Sequence, residues 1–361
     1  MWPSDDTDEA LSSRRNTRTL EAFSEAIDHE IRLFYKWCAN KEEEICRAQS
    51  GVGPPSIVSL LNLEKAIQDA FSGSFTTLAD ILRKVLSHRA SQPPESLTEL
   101  WILPELPSRV PPASVTAFLL DNLFQATQEH LSMGDHVTSN ALMRAFAKTA
   151  EPVWSMAGLW LKNGIPVRDP SGFRGSHEDE SLDREFFIED NELPLLDPDF
   201  WREGYTLRDS IAEEDGSRTV PVFLAHVVEH VLGSGKAVGL LRTLGIQPVF
   251  NDNHVWLSDW RSFATLLAEE AQRHPESITR KDAIFSVSTD TLSRIVFDEL
   301  VPHCQVVAAQ LAKVLVDECS LWKHLSTIEN LFLMRKGDVM THFADVLFSK
   351  VCVPFALIPL R

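Results

Sequence analysis

Between Leu20 and Cys46 the apolar residues Leu20, Phe23, Ile27, Ile31, Phe34, Cys38 and Ile45 recur mostly at steps of three, four or seven, with charged residues between them. This spacing lays one apolar stripe along a single face of a long helix. A Gly-Val-Gly-Pro-Pro break from Gly51 to Pro55 ends it. The pattern then predicts two shorter helices, Ile57 to Phe71 and Leu78 to His88, joined near Gly73 in a helical-hairpin rhythm. Six prolines between Ser91 and Pro112 predict an extended connector, with Leu100 to Leu103 as a short apolar anchor. Helices follow over Ser114 to Ser132 and His136 to Lys162, the second stopped by Gly164 and Pro166.

From Arg168 to Glu180 the chain turns to Gly, Ser, Asp and Glu, which predicts a mobile surface insert. Glu185-Phe186-Phe187-Ile188 and Tyr205-Thr206-Leu207 read as two short extended pieces, a small hairpin near 185–208. Helical spacing resumes over Pro221 to Leu244, Ser258 to Arg273, Thr291 to Val316, Ser320 to Met334 and Asp338 to Lys350. The predicted class is all-α, without the fixed repeat period of a solenoid.

At 361 residues and 44% hydrophobic content, the chain can bury one large core or two ordinary ones. Its 52 acidic and 34 basic residues give a formal net charge of −18, which argues against nonspecific capture of nucleic acid or anionic membrane. Five cysteines (Cys38, Cys46, Cys304, Cys319, Cys352) are odd in number and widely spread, and so read as reduced core thiols rather than a disulfide framework. The acidic start Met-Trp-Pro-Ser-Asp-Asp lacks the features of a secretory signal, and no run reaches the ~18 apolar residues of a membrane span. The expectation is a soluble intracellular protein.

Little in the chain points to catalysis. His226-Val227-Val228-Glu229-His230 matches the H-x-x-E-H pattern, in which one helical face offers two imidazoles to zinc with a carboxylate nearby. A third ligand would have to come from elsewhere. Gly233-Ser234-Gly235-Lys236 departs from a phosphate loop: Ala237 follows the lysine, and His230 stands where the first glycine belongs. The two glycines read instead as a close helix contact or a bend. Acidic runs at Asp5 to Glu9, Glu42 to Glu44 and Glu178 to Glu180 read as solvated faces. Nine tryptophans divide between core packing and interface anchoring.

One ordered succession is more specific than any of these pieces. Trp160-Leu161-Lys162-Asn163-Gly164-Ile165, Asp169, Glu185-Phe186-Phe187-Ile188, Phe200-Trp201, Tyr205-Thr206-Leu207, Pro221, Phe223-Leu224, Gly235-Lys236 and Leu240-Leu241 follow one another over about 85 residues. This resembles the gamma-tubulin complex component family, and the Asp-Pro-x-Phe-Trp and Tyr-Thr-Leu wording looks most like its component-five branch. The departure is a longer spacer, Gly172 to Asp183, before Glu185.

The resemblance implies an elongated stack of helical bundles: a flexible acidic segment 1–19, an N-terminal family domain 20–325 with a mobile insert at 168–184, and the beginning of the gamma-tubulin-binding C-terminal domain at 326–350. Leu331 to Met334 with Lys336-Gly337-Asp338 resembles the family's Leu-Leu-x-x-Gly-Asp segment. Family members run on well beyond it, whereas 351–361 is an atypical tail with two prolines. The expectation is therefore a truncated C-terminus, which puts direct gamma-tubulin binding in doubt. The implied function is a non-enzymatic scaffold subunit supporting microtubule nucleation, without cofactors or metals, at microtubule-organising centres or spindle poles in the cytoplasm and cytoskeleton. Its partners would be gamma-tubulin and other components. A partner-interface face is assigned to Trp160, Phe186, Phe187, Phe200, Trp201 and Tyr205. The alternatives are a zinc hydrolase built on His226 and His230, and a generic helical tethering subunit.

Overall fold

A computed structural model describes residues 17–50, 59–89, 110–165, 184–193, 197, 199–208, 218–246, 260–273, 287–332, 335 and 337–351. The N-terminus to residue 16, the Gly51 to Pro55 break, the connector from 91 to 109, the insert from 168 to 183 and the tail from 352 lie outside these residues. The chain divides into two compact units, Met1–Cys304 and Gln305–Arg361, with the division inside a helix and upstream of the boundary expected at 325/326.

In the first unit, α1 (Arg18–Gln49) opens on Thr17, whose hydroxyl accepts the Leu20 N–H. Such a cap satisfies one of the four orphan donors at a helix start. The buried residues of α1 all lie in its first half, where Phe23 and Ala26 meet the core. Leu60–Ile67 (α2) and Gly73–Arg89 (α3) are continuous through a π-helical turn, Gln68–Ser72. The helical hairpin expected near Gly73 is therefore one interrupted rod. A Cβ on Gly73 would sit 2.4 Å from the Thr138 hydroxyl, so this glycine marks a close approach rather than a break.

Helix α4 (Pro112–Ser132) starts with Pro112 in its first turn, where a missing N–H costs nothing. A short turn leads to α5 (His136–Asn163), which Asp135 caps through the Thr138 N–H. This helix is the axis of the unit: α1, α4, α7 (Val228–Thr243) and α8 (Phe263–Arg273) all pack on it. Its buried face carries Leu142, Phe146, Val153, Trp154, Ala157 and Trp160. Rings of Phe124, Phe146, Phe223, Phe263 and Trp154 form a connected aromatic core, with neighbouring centroids 5.3–5.9 Å apart. Tilted and edge-on rings at such separations add to the burial energy. One charged pair crosses α1 and α5, where Arg144 donates two bonds of 3.0 and 2.9 Å to the buried Glu30 carboxylate.

Two short strands, β1 (Ile188–Asp190) and β2 (Tyr205–Leu207), pair antiparallel with Ile188 opposite Leu207. The first starts three residues later than the expected Glu185; Phe186 and Phe187 precede it. The helix expected from Pro221 to Leu244 is instead a 3-10 turn (Val222–Leu224), a further turn, and then α7. Helix α8 begins at Phe263 rather than Ser258, which lies outside the described residues. All-α is the class, with this hairpin as the one sheet among the described residues.

Helix α9 (Thr289–Asp317) carries Pro302 inside it and spans the division between units. The second unit adds α10 (Leu321–Phe332) and α11 (Gly337–Val351). No described helix is long and apolar enough to cross a membrane. Of the four described cysteines only Cys304 is buried; Cys46 and Cys319 are exposed, so the expectation of core thiols fails for those two.

Candidate partner-docking site at the central motif

The pieces of the central succession, scattered over some 85 residues, converge on the C-terminal end of α5. Trp160 lies flat against α7 because Gly235 has no side chain: a Cβ there would fall 2.1 Å from the indole Nε1 and Cε2. The indole N–H donates to the Val231 carbonyl at 2.9 Å, which satisfies the one polar atom of a buried ring. Just beyond, Gly164 ends α5 at φ +63°, a conformation that strains any residue with a side chain. A Cβ at Gly164 would also lie 2.6 Å from the Gly235 carbonyl. Glycine on both helices thus sets their separation.

The hairpin closes over the same indole. Tyr205 packs on Trp160 with centroids 5.6 Å apart, and its hydroxyl donates to Asp190 across the strand pair at 3.2 Å. Phe200 meets Tyr205 edge-on at 6.1 Å and Trp201 edge-on at 5.2 Å. Arg208 ties the base of the hairpin to the preceding aromatic pair, donating from Nε to the Phe186 carbonyl and from its backbone N–H to that of Phe187.

Two charged residues of the succession have structural tasks. Glu185 is buried, and its Oε2 accepts both the Thr19 N–H at 3.1 Å and the Thr19 hydroxyl at 2.7 Å. A carboxylate at a helix N-terminus is favoured by the orphan donors and the macrodipole together, so Glu185 fastens the hairpin to the start of α1. Lys236 donates to the carbonyls of Trp201 and Arg202 at 3.1 and 3.2 Å, at the end of the one-turn helix α6 (Phe200–Glu203). Burial lowers the pKa of its ammonium, while Glu229 opposes that shift. The Gly-Lys pair thus serves a helix contact and a carbonyl clamp, not a phosphate. Asp121 of α4 holds the Pro221 turn by accepting the Val222 N–H at 2.8 Å, and burial raises its carboxyl pKa to about 6.

Of the six residues assigned to a partner face, the structure brings all but the Phe186–Phe187 pair into one ring cluster around Trp160, with that pair joined through Arg208. Five of them, Trp160, Phe186, Phe187, Phe200 and Tyr205, are buried, so they shape a surface and do not themselves meet solvent. Trp201 is the exception at 38% exposed, bordered by exposed Arg202 and Glu203. Sequence reasoning missed the capping role of Glu185 and the clamp of Lys236; Lys236 is a lone charge within an apolar stretch, which was the available signal, whereas Glu185 stands among Asp183, Arg184, Glu189 and Asp190 and carries none.

The H-x-x-E-H reading does not survive the geometry. His226 lies in the turn before α7 rather than on it, its Nε2 is 2.8 Å from the Ser293 carbonyl, and its ring stacks over Phe297. Among the described residues no group of three His, Cys, Asp or Glu side chains is placed to hold a metal ion.

Compared with known proteins, the chain matches the family described as gamma tubulin complex component N-terminal over residues 5–318. It is similar to the gamma-tubulin complex component 2 homolog of Drosophila melanogaster, 24% identical over 207 residues, covering 55% of this chain and 18% of that protein. It is also similar to gamma-tubulin complex component 2 of Arabidopsis thaliana, 23% identical over 225 residues, covering 62% of this chain and 26% of that protein. The match thus spans about a quarter or less of these relatives. Neither selects the component-five branch expected from the wording of the motif.

Proposed function

From the premise that the chain belongs to the gamma-tubulin complex component family, we propose that it is a scaffold subunit of a gamma-tubulin complex. It works by lateral contact with neighbouring components, in the cytoplasm at microtubule-organising centres or spindle poles. The observation that carries this reading is the family match across residues 5–318. The assembly of the family-like succession into one locked module is consistent with it.

The work of such a subunit is positional. Components standing side by side hold several gamma-tubulin molecules at fixed spacing. Nucleation, an unfavourable meeting of many free subunits, then becomes a series of additions at high effective concentration. This requires stiffness at the contact rather than bond chemistry, and the buried rings, the Glu185 cap and the Lys236 clamp supply stiffness of that kind.

Within the module, Trp201 and its charged border form the proposed contact, with the five buried aromatics as its support. An aromatic anchor rimmed by charge is the usual composition of an interface centre. Direct binding of gamma-tubulin would fall to a C-terminal domain that begins near residue 326.

The test is co-purification of the whole chain with a component-2-type partner and gamma-tubulin, read by size exclusion with mass determination. A stoichiometric complex with the partner component is expected. Trp201→Ala should weaken it roughly 30-fold, the loss of one interface anchor, with an unchanged melting curve. A chain that stays monomeric beside both proteins would overturn the assignment.

A further inference from the structure

The corner that bears Trp201 is charged almost entirely with one sign. Between Ile188 and Glu203 stand Glu189, Asp190, Glu192, Asp197, Asp199 and Glu203, against the single base Arg202. That is six acids to one base, where the whole chain has 52 to 34. The excess is held in place by hydrogen bonds. The Asn191 N–H donates to the Gly204 carbonyl at 2.9 Å, and its side-chain amide donates to the Glu203 carbonyl and the Thr206 hydroxyl. These bonds set the turn after β1 against the end of α6, so two acidic stretches flank the one helical turn that carries Trp201.

Two of the six acids have internal tasks. Asp190 accepts the Tyr205 hydroxyl and the Glu192 N–H, and Asp197 accepts the Asp199 N–H. Glu203 lies 3.9 Å from Arg202, with both side chains more than half exposed. The side chains of Glu189, Glu192 and Asp199 have no hydrogen bond or ion pair among the described residues. Nearby bases are occupied elsewhere: Lys236 is committed to the Trp201 and Arg202 carbonyls, and Arg208 to that of Phe186. The exposed indole therefore sits in a negative potential that nothing in the corner neutralises.

This inference rests on the scaffold reading and supplies the chemistry of the partner. We propose that the neighbouring component meets this corner with a basic segment, whose Lys and Arg side chains face Glu189, Glu192, Asp199 and Glu203 and place one cation on the Trp201 indole. Charge complementarity decides among occupants. A second copy carries −18 and, under two-fold symmetry, sets this acidic corner against itself. An apolar helix takes three carboxylates out of water without partners, a desolvation that one indole does not offset. A basic segment pairs the carboxylates, and tryptophan is the ring on which a cation binds best.

The test measures association and dissociation rates of the whole chain with the component-2-type partner. Between about 50 and 300 mM NaCl the association rate should fall roughly tenfold, as it does where opposite charges steer an encounter. Glu189→Gln, Glu192→Gln and Asp199→Asn together should lower it roughly tenfold at the lower salt, flatten its salt dependence and change dissociation less. Removing three charges at the other end of the described chain, with Asp298→Asn, Asp317→Asn and Glu318→Gln, should leave the rates within about twofold. The three corner carboxylates have no internal partner, so the variant should keep the wild-type melting curve. If it does not, Glu192→Lys alone serves in its place and should weaken binding further than Glu192→Gln. A complex that Trp201→Ala weakens, but that ignores salt and the corner variant or is tightened by that variant, overturns the basic partner and leaves the scaffold reading standing. So does a control variant that loses as much as the corner variant, since net charge then explains both. No complex at either salt overturns the scaffold reading and this inference together.

Discussion

Helix α7 contains two glycines two residues apart that should respond oppositely to the same substitution. At Gly235 a Cβ would lie 2.1 Å from the indole of Trp160, a distance that requires something to move. The indole has little room: it is buried, its N–H is fixed on the Val231 carbonyl, and Tyr205 covers its other side. Forcing a methyl group into such a core costs about 1–3 kcal/mol. If the Val231 bond is lost in the process, an unsatisfied buried donor adds about 1–3 kcal/mol. Against this, alanine gains roughly 1 kcal/mol over glycine as a helix former, so Gly235→Ala should destabilise the first unit by about 2–4 kcal/mol.

At Gly233 nothing lies within 4 Å of the added Cβ. Only the helix-former term remains, and Gly233→Ala should stabilise by up to about 1 kcal/mol. Urea unfolding followed by circular dichroism and tryptophan emission measures both, and the pair share a helix, a residue type and a reference state. If Gly235→Ala proves as stable as Gly233→Ala, the contact between Trp160 and the α7 backbone is not what holds the module together. The account of the central motif then fails.

Three further outcomes follow from the same geometry. Glu185→Ala leaves the Thr19 N–H and hydroxyl without their acceptor and should cost about 2 kcal/mol; hydrogen exchange at the first turn of α1 should quicken, and Glu185→Gln, which keeps an oxygen, should recover part of the loss. Asp121 titrates near 6 in the folded chain against an ordinary value of 3.8. The folded state therefore holds this proton more tightly than the unfolded one, so its contribution favours folding below pH 4 and is lost as pH rises through 6. The shift caps the effect at about 3 kcal/mol. Asp121→Asn should thus stabilise at pH 7 and gain little at pH 4; equal gains at both would refute it. Lys236→Met removes the clamp on the Trp201 and Arg202 carbonyls, and should weaken partner binding roughly tenfold with a melting point within a few degrees of wild type, an effect of about 1 kcal/mol. An undiminished affinity would show that the α6 turn holds itself.

How much of this was legible in the chain differs from element to element. The long helices were, because each buries one face and leaves the 3.6-residue period intact: α1, α4 and α5 begin or end within three residues of the pattern. Glycine misled at Gly73. A glycine next to a change of spacing reads as a break, yet here it sits inside a helix and admits Thr138. The change of spacing itself was real and came from the π-turn at Gln68–Ser72, which inserts a residue and shifts the stripe. At Pro221 the sequence suggested a helix start, since proline suits a first turn. The structure places a 3-10 turn there, held by Asp121 from 100 residues upstream, a partner that no local pattern contains.

The candidate site shows the sharper limit. Tryptophan, phenylalanine and tyrosine are the residues of both cores and interfaces, and their order along the chain does not distinguish the two uses. What distinguishes them is whether each polar tip finds an internal partner. Trp160 does, on Val231, and Tyr205 does, on Asp190; both are core. That distinction depends on residues 71 and 15 positions away in sequence, so the order of the motif does not show that five of its six aromatics are buried and that Trp201 reaches solvent. The glycine and charged positions of the succession, which looked incidental, carry the constraint. Gly235 sets how closely α5 may approach, Lys236 fixes the turn that bears Trp201, and Glu185 ties both to α1. A motif of this kind specifies one corner through its small and charged members, and of its six aromatics leaves Trp201 exposed at the edge.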